Sequence, residues 1–292
     1  MQHIVIGANG YVGSYLYQRM KSDGLNVIGT THRRGENKEL VYFDVLEGSA
    51  SDIGKLARDE EKTAILCVVQ SDFNRCKTEY ELSRQINVVS VKKMIEVLLR
   101  ESFHIIYFSS DNVFDGIKGN YTEMDQTNAI SRYGEMKEEM EQFLLREHPE
   151  VCIFRMPRVV GSEREKRNLL TDFETKLTDG KVRCIKNNRM SVISKDDVYH
   201  ACLLSSKHRM HGLYNLSNGE TYSRKELAEI FFASMGEQNM DITEWELEKF
   251  GFDDIRPLNT SLNNTKFKCE TGFEFMTYRG MVDQYLLMNG YK

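Results

Sequence analysis

What this chain lacks narrows the field first. Its 292 residues hold only three prolines, and no stretch is rich enough in Pro, Gly and Ser to act as a free linker. No internal repeat or low-complexity tract is present, so arrays and disordered tails are excluded. No apolar run approaches the ~20 residues of a membrane helix, and no membrane partner is expected. The first strand, Ile4-Val5-Ile6, has no basic segment and long apolar core before it, so no secretory signal is expected. Six cysteines (Cys67, Cys76, Cys152, Cys184, Cys202 and Cys269) are scattered without a C-x-x-C pair, several inside apolar runs. That argues against a disulfide frame or a zinc site and for reduced thiols in a cytoplasmic protein. His200, His208 and His211 lie close in sequence without a complete ligand set, so no metal is expected. Basic excess is also missing: 39 Lys and Arg face 44 Asp and Glu, a net charge of -5, which argues against a nucleic-acid binder.

What is there is enough for a large core, with 40% hydrophobic and 28% charged residues. The first half alternates short apolar runs with amphipathic segments. Strands are expected at 3–6, 26–29, 40–43, 64–69, 104–109 and 151–154, and helices at 11–23, 51–60, 79–100 and 129–148. Strands apolar on both faces belong in a parallel sheet covered by helices, so the fold class is α/β, a Rossmann-like doubly wound parallel sheet. After Arg155 the rhythm loosens. Helices are expected near 168–178 and 196–206, from Ser223 with Glu226 in a capping box, from Ser261, and near 278–288. Short strands are expected at 182–185 and 212–216. The division is therefore a dinucleotide-binding domain over 1–155 and a smaller C-terminal substrate lobe over 156–292, partly interleaved with the first.

Gly7-Ala8-Asn9-Gly10-Tyr11-Val12-Gly13 follows the first strand and opens the first helix. In that context the glycines allow a sharp turn, close approach to a pyrophosphate, and tight helix packing, while the helix N-terminal N–H groups face the anion. A bland tight turn is the competing reading. Roughly twenty residues on, where NAD enzymes place an acid against the ribose, stand Thr30 and Thr31, then His32, Arg33 and Arg34. A guanidinium suits a 2′-phosphate, so NADPH is the expected cofactor, with NADH as the alternative; otherwise Arg33 and Arg34 are a solvated loop. Asp44 and Val45 suit the adenine edge and its apolar face.

Tyr133 and Lys137 stand four apart in a helical segment and share one face. A neighbouring ammonium favours the phenolate, which brings a tyrosine into range as a proton donor at neutral pH. The same lysine can hold the nicotinamide ribose. Such pairs also occur as ordinary surface neighbours, but here a strand ends in Ser109-Ser110-Asp111, at the edge that faces a ligand crevice. Ser110 is the candidate to hold a substrate carbonyl, with Ser109 on the opposite face. Asn87 is either a water anchor for the lysine or an ordinary helix residue.

Taken together, Ser110-Asp111-Asn112-Val113-Phe114-Asp115-Gly116, Tyr133-x-x-x-Lys137, Arg155 through Gly161 and Arg256-Pro257-Leu258-Asn259-Thr260-Ser261-Leu262 resemble the dTDP-4-dehydrorhamnose reductases, among the extended short-chain dehydrogenases/reductases. The resemblance spans nearly the whole chain. It implies reduction of a nucleotide-linked 4-keto sugar, with Ser110, Tyr133 and Lys137 carrying the chemistry. The expected partner is a nucleotide-sugar substrate. Candidate substrate contacts are Arg158, Asn168 and Arg256, the last being either a diphosphate partner or a structural ion pair. Asn112 stands where related dehydratases place a second carboxylate, which disfavours loss of water. Arg158 replaces a family tryptophan, and Asn187 through Ile193 rewrites another pocket stretch, which leaves the sugar and nucleotide open. The alternatives are a sugar-nucleotide epimerase and a non-catalytic NADP(H)-sensing regulatory subunit. Helices 79–100 and 129–148 could build a homodimer, as in related reductases.

Overall fold

A computed structural model describes residues 1–35 and 37–291. The chain forms two compact units that exchange segments. The first holds 1–110, 131–155 and 199–213; the second holds 111–130, 156–198 and 214–292. Segments 111–130 and 199–213 each lie in the unit opposite to the one a single division after residue 155 would give them.

The first unit is built on β1 (Gln2–Ile6), α1 (Tyr11–Ser22), β2 (Asn26–Thr31), β3 (Val41–Tyr42), α2 (Ala50–Gly54), β4 (Lys62–Leu66), α3 (Phe73–Thr78), α4 (Tyr80–Arg84), α5 (Ser90–Arg100), β5 (His104–Ser110), α6 (Arg132–Glu147) and β6 (Cys152–Met156). Its seven-stranded sheet runs β3-β2-β1-β4-β5-β6 and ends on Gly212–Asn215. Every pair from β3 to β5 is parallel. The order reverses between β1 and β4, the switch point at which doubly wound sheets receive ligands.

Why these segments pack is visible in their spacing. Val91, Met94, Ile95 and Leu98 on α5, and Met136, Met140 and Leu144 on α6, recur at helical intervals and are buried against Ile4, Ile6, Ile105 and Ile153 of the strands. Each such side chain contributes roughly 1.5–3 kcal/mol by leaving water.

Two expected helices differ. The segment predicted at 51–60 shortens to α2. The long helix predicted at 79–100 is interrupted by a π-helical turn at Gln85–Val89, between α4 and α5. Widening the turn lets Asn87 reach Gln70, which follows β4: its carbonyl oxygen accepts from the Gln70 N–H at 2.7 Å and its amide donates to the Gln70 oxygen at 2.9 Å.

Arg155 on β6 is bound to Glu141 on α6 by three contacts of 2.6 to 3.0 Å, both side chains 2% exposed. Removing one partner of such a pair strands a buried charge. Glu141→Leu should cost about 3–5 kcal/mol in denaturant unfolding, and a loss below 1 kcal/mol would contradict a buried pair.

The second unit continues with β7 (Arg158–Val160), α7 (Leu169–Thr175), β8 (Lys181–Ile185), β9 (Arg189–Met190), β10 (Val192–Ser194), α8 (Lys195–His208, whose later turns belong to the first unit), β11 (Gly212–Asn215), β12 (Tyr222–Ser223), α9 (Arg224–Met235), β13 (Asp241–Trp245), α10 (Thr265–Thr271) and α11 (Tyr278–Met288). Its core is Phe173, Leu227, Phe231, Phe232, Tyr278, Val282 and Tyr285. The capping box ahead of α9 is present: Ser223 Oγ accepts from the Glu226 N–H at 3.1 Å and the Glu226 carboxylate accepts from the Ser223 N–H at 2.6 Å. The helix predicted from Ser261 begins at Thr265 instead. Ser261 is drawn into a strand-like contact, its carbonyl accepting from the Tyr121 N–H and its hydroxyl from the Asn120 N–H.

Candidate active site

The glycine loop lies where β1 turns into α1, and its three glycines have different reasons. Gly7 has φ +92°, and a Cβ there would come within 3.0 Å of the Cys67 backbone. At Gly13 a Cβ would fall 2.3 Å from the Gly7 oxygen. Both are demanded by the protein's own packing. At Gly10, the cap of α1, a Cβ would touch only the Gly7 oxygen, at 3.4 Å. The space above it is open, as a pyrophosphate site requires. Asn9, Gly10, Tyr11 and Val12 remain partly accessible, whereas Gly13 is buried.

Thr30 supports this loop from β2: its hydroxyl accepts from the Gly7 N–H at 3.1 Å and its carbonyl from the Ala8 N–H at 2.8 Å. Its side chain thus serves the loop and lies 1% exposed. Beyond β2, Arg33 and Arg34 are exposed, and the Arg34 guanidinium sits over the Tyr42 ring at 4.3 Å with Glu47 at 3.9 Å. Stacking holds that planar cation near the end of β2. Asp44 accepts from the Leu46 N–H at 2.8 Å, and Val45 packs on the core.

Ser110 closes β5 and is 6% exposed. Strand alternation puts Ser109 on the face shared by Tyr107, and Ser110 on the other. Tyr133 is the second residue of α6, whose cap is the Ser131 hydroxyl accepting from the Gly134 N–H at 3.1 Å. The Tyr133 ring packs at 5.2 Å from Phe73. One turn on, Lys137 is buried, its ammonium donating to the Phe108 carbonyl at 2.6 Å and to the Tyr107 hydroxyl at 3.2 Å. It lies 5.9 Å from the Tyr133 ring centre. Burial lowers the Lys137 pKa to about 8, against the raising influence of Glu141. The nearby Cys67 thiol is pushed up to about 12 by burial. A buried, hydrogen-bonded ammonium at the carboxyl end of a central strand, one turn from a phenol, is a group prepared for proton handling.

Two expected site residues are engaged by nearby backbone. Both ends of the Asn87 amide bind the Gln70 backbone and fix the chain after β4. Asn168 is fully buried, and its amide donates to the Gly161 and Glu163 carbonyls at 2.7 and 2.8 Å while accepting from the Leu170 N–H. These contacts fold its own loop. Within the second unit, Arg158 is exposed at the start of β7, and Arg256 stacks on Phe252 at 4.8 Å.

Sequence reasoning missed how three of the second unit's segments join. Asp111 is 6% exposed, its carboxylate accepting from the Thr260 hydroxyl at 2.6 Å and from the Asn112 amide at 2.8 Å. Gly116 has φ +76°, and a Cβ there would fall 2.6 Å from the Leu258 nitrogen. The Arg189 N–H donates to the Leu258 carbonyl and the Thr260 N–H to the Arg189 carbonyl. Among the described residues, no group of three or more His, Cys, Asp or Glu is placed to hold a metal, and no helix is long and apolar enough to cross a membrane.

Residues 1–289 match the RmlD substrate binding domain. The chain belongs to that family. Curated proteins similar to this RmlD-family chain include the beta subunit of methionine adenosyltransferase 2 from Xenopus tropicalis, 24% identical over 234 residues, 77% of this chain and 69% of that one. A probable low-salt glycan biosynthesis reductase from Haloferax volcanii is 24% identical over 172 residues, 58% of this chain and 57% of its own length. With the Xenopus laevis beta subunit the match spans 47% of the relative. The dTDP-4-dehydrorhamnose reductase of Bacillus anthracis, solved with NADP, superposes with TM-score 0.85 at 17% identity, covering 99% of this chain and 100% of that one. The Clostridium acetobutylicum protein of the same description gives 0.85 at 22%, covering 99% of each. The RmlD-family chain therefore has the extended short-chain dehydrogenase/reductase fold.

Proposed function

We propose that this chain is an NAD(P)H-dependent reductase of a keto group on a nucleotide-activated sugar, with NADPH preferred. The observation that carries the reading is the Lys137 ammonium, buried at the end of β5 one turn from Tyr133. The glycine loop fits a dinucleotide, since Gly10 leaves open the space that Gly7 and Gly13 do not need to leave. A nicotinamide cofactor supplies a hydride when bound. The chain's own residues then do the rest. Ser110 hydrogen-bonds the substrate carbonyl, Tyr133 gives its phenolic proton to the carbonyl oxygen as charge develops there, and Lys137 offsets the phenolate left behind. The NADP of the Bacillus anthracis structure and the reductase description of the Haloferax relative support this reading.

The test is to mix the purified protein with NADPH or NADH and a panel of nucleotide-linked 4-keto sugars, following loss of the reduced-nicotinamide absorbance. Turnover abolished by Tyr133→Phe supports the reading; an equally active Tyr133→Phe variant removes the mechanism. For cofactor choice, Arg33→Glu with Arg34→Glu should weaken NADPH at least tenfold more than NADH, because two phosphate-facing cations become repulsive. Equal weakening by titration calorimetry would refute the preference.

A second reading, a non-catalytic subunit that binds NADP(H), is favoured by the similarity to methionine adenosyltransferase 2 beta subunits. It expects saturable NADPH binding with no turnover on any sugar of the panel.

A further inference from the structure

We propose that Tyr107 is a positioning residue for Lys137, its hydroxyl and the Phe108 carbonyl together fixing the ammonium at the end of β5. The catalytic consequence rests on the reductase reading above; the placement itself does not.

Lysine has a long flexible stem and ordinarily extends its charge to water. Here it is 5% exposed, so something must hold the head where it lies. The Phe108 carbonyl takes one proton at 2.6 Å and the Tyr107 oxygen a second at 3.2 Å, with the Tyr107 ring centre 4.6 Å from the nitrogen. Tyr107 is 2% exposed among Ile105, Met136 and Met140, a setting a phenylalanine would fill equally well. Burying a phenol without a partner is costly. Among the described residues the Lys137 ammonium is the hydrogen-bond partner of that hydroxyl, so the oxygen has a reason to be there.

The direction of the bond matters. An ammonium only donates, so the phenol oxygen accepts, and that favours the charged lysine. Tyr107 stays neutral, because burial, then Tyr133 and Glu141, push its own pKa well above the usual value. The other titratable groups facing Lys137 are Glu141 on α6, Cys76 on α3 and Cys67 after β4, all of which raise its pKa, while burial lowers it. Tyr133 faces it from its own helix. Glu141 is already bound to Arg155, which leaves Tyr107 as the neutral group that touches the ammonium by a side chain.

Lysine-selective NMR of the full chain tests this, with the Lys137 signal assigned by its absence in Lys137→Met. The wild-type signal should titrate near pH 8, and Tyr107→Phe should move that titration down by about one unit, a tenfold change in proton affinity. An unmoved titration in folded Tyr107→Phe overturns the proposal. Should that variant fold poorly, 3-fluorotyrosine at position 107 keeps the ring and hydroxyl but is a weaker acceptor. It should give a smaller downward shift, and no shift overturns the proposal equally. If the reductase reading also holds, Tyr107→Phe should lower kcat at pH 7 about twofold, with its pH profile displaced in parallel. A parallel kcat loss without any displacement would assign Tyr107 a packing role instead.

Discussion

Gly10→Val should abolish dinucleotide binding, by a hundredfold or more in Kd, while leaving the melting temperature nearly unchanged. The reason is the asymmetry between the loop's glycines. A Cβ at Gly10 meets only the Gly7 oxygen at 3.4 Å, whereas one at Gly13 would intrude to 2.3 Å from the same atom. The first substitution fills space outside the protein's own packing; the second fills space the backbone already occupies. Gly13→Ala should therefore lose stability by roughly 1–3 kcal/mol through overpacking. Paired measurements of NADPH binding and thermal unfolding separate the two effects. Strong binding by a folded Gly10→Val variant would mean that the cofactor does not lie over this turn.

The second large effect concerns Lys137→Met, in which the rate should fall and the pH dependence of stability should change. Loss of a group that assists proton transfer costs about 10²–10⁴ in kcat. Stability should respond otherwise, because the lysine is held at about 8 rather than its ordinary 10.5 by burial. A depressed lysine pKa means that the folded state binds fewer protons than the unfolded state between those two values. Stability of the wild type then rises with pH across that window, and the full cost of burying the charge is present below pH 8. For a shift of this size that net cost is about 3 kcal/mol. Below pH 8 Lys137→Met escapes that cost but leaves the Tyr107 hydroxyl without its partner, so the two effects oppose each other at pH 7; from pH 8 to pH 10.5 the balance should shift toward the wild type. Urea unfolding at several pH values checks the slope; a variant whose advantage grows with pH would show the opposite linkage.

The first unit was largely legible because its signals are local. Apolar runs such as Ile4-Val5-Ile6 gave β1, and i, i+4 spacing put Tyr133 and Lys137 on one helix face. The features that escaped depend on distant partners. The π-helical turn around Asn87 is invisible in a pattern that stays apolar at helical intervals through Arg100, since its cause is the backbone of Gln70. Burial spends the Asn168 amide on its own loop, a commitment no local pattern displays. Tyr107 read as one more apolar strand residue, and only its neighbour thirty residues on gives its oxygen a purpose. Asp111 and Thr260 are 149 residues apart, and no local period joins them.

The seam between Gly116 and the Pro257–Leu258 backbone has a consequence for redesign. Because any side chain at 116 would collide with that backbone, the two stretches cannot be exchanged with those of a homologue one at a time. An exchange with a relative should move 111–116, 187–193 and 256–262 as a single cassette, and piecemeal chimeras should express poorly.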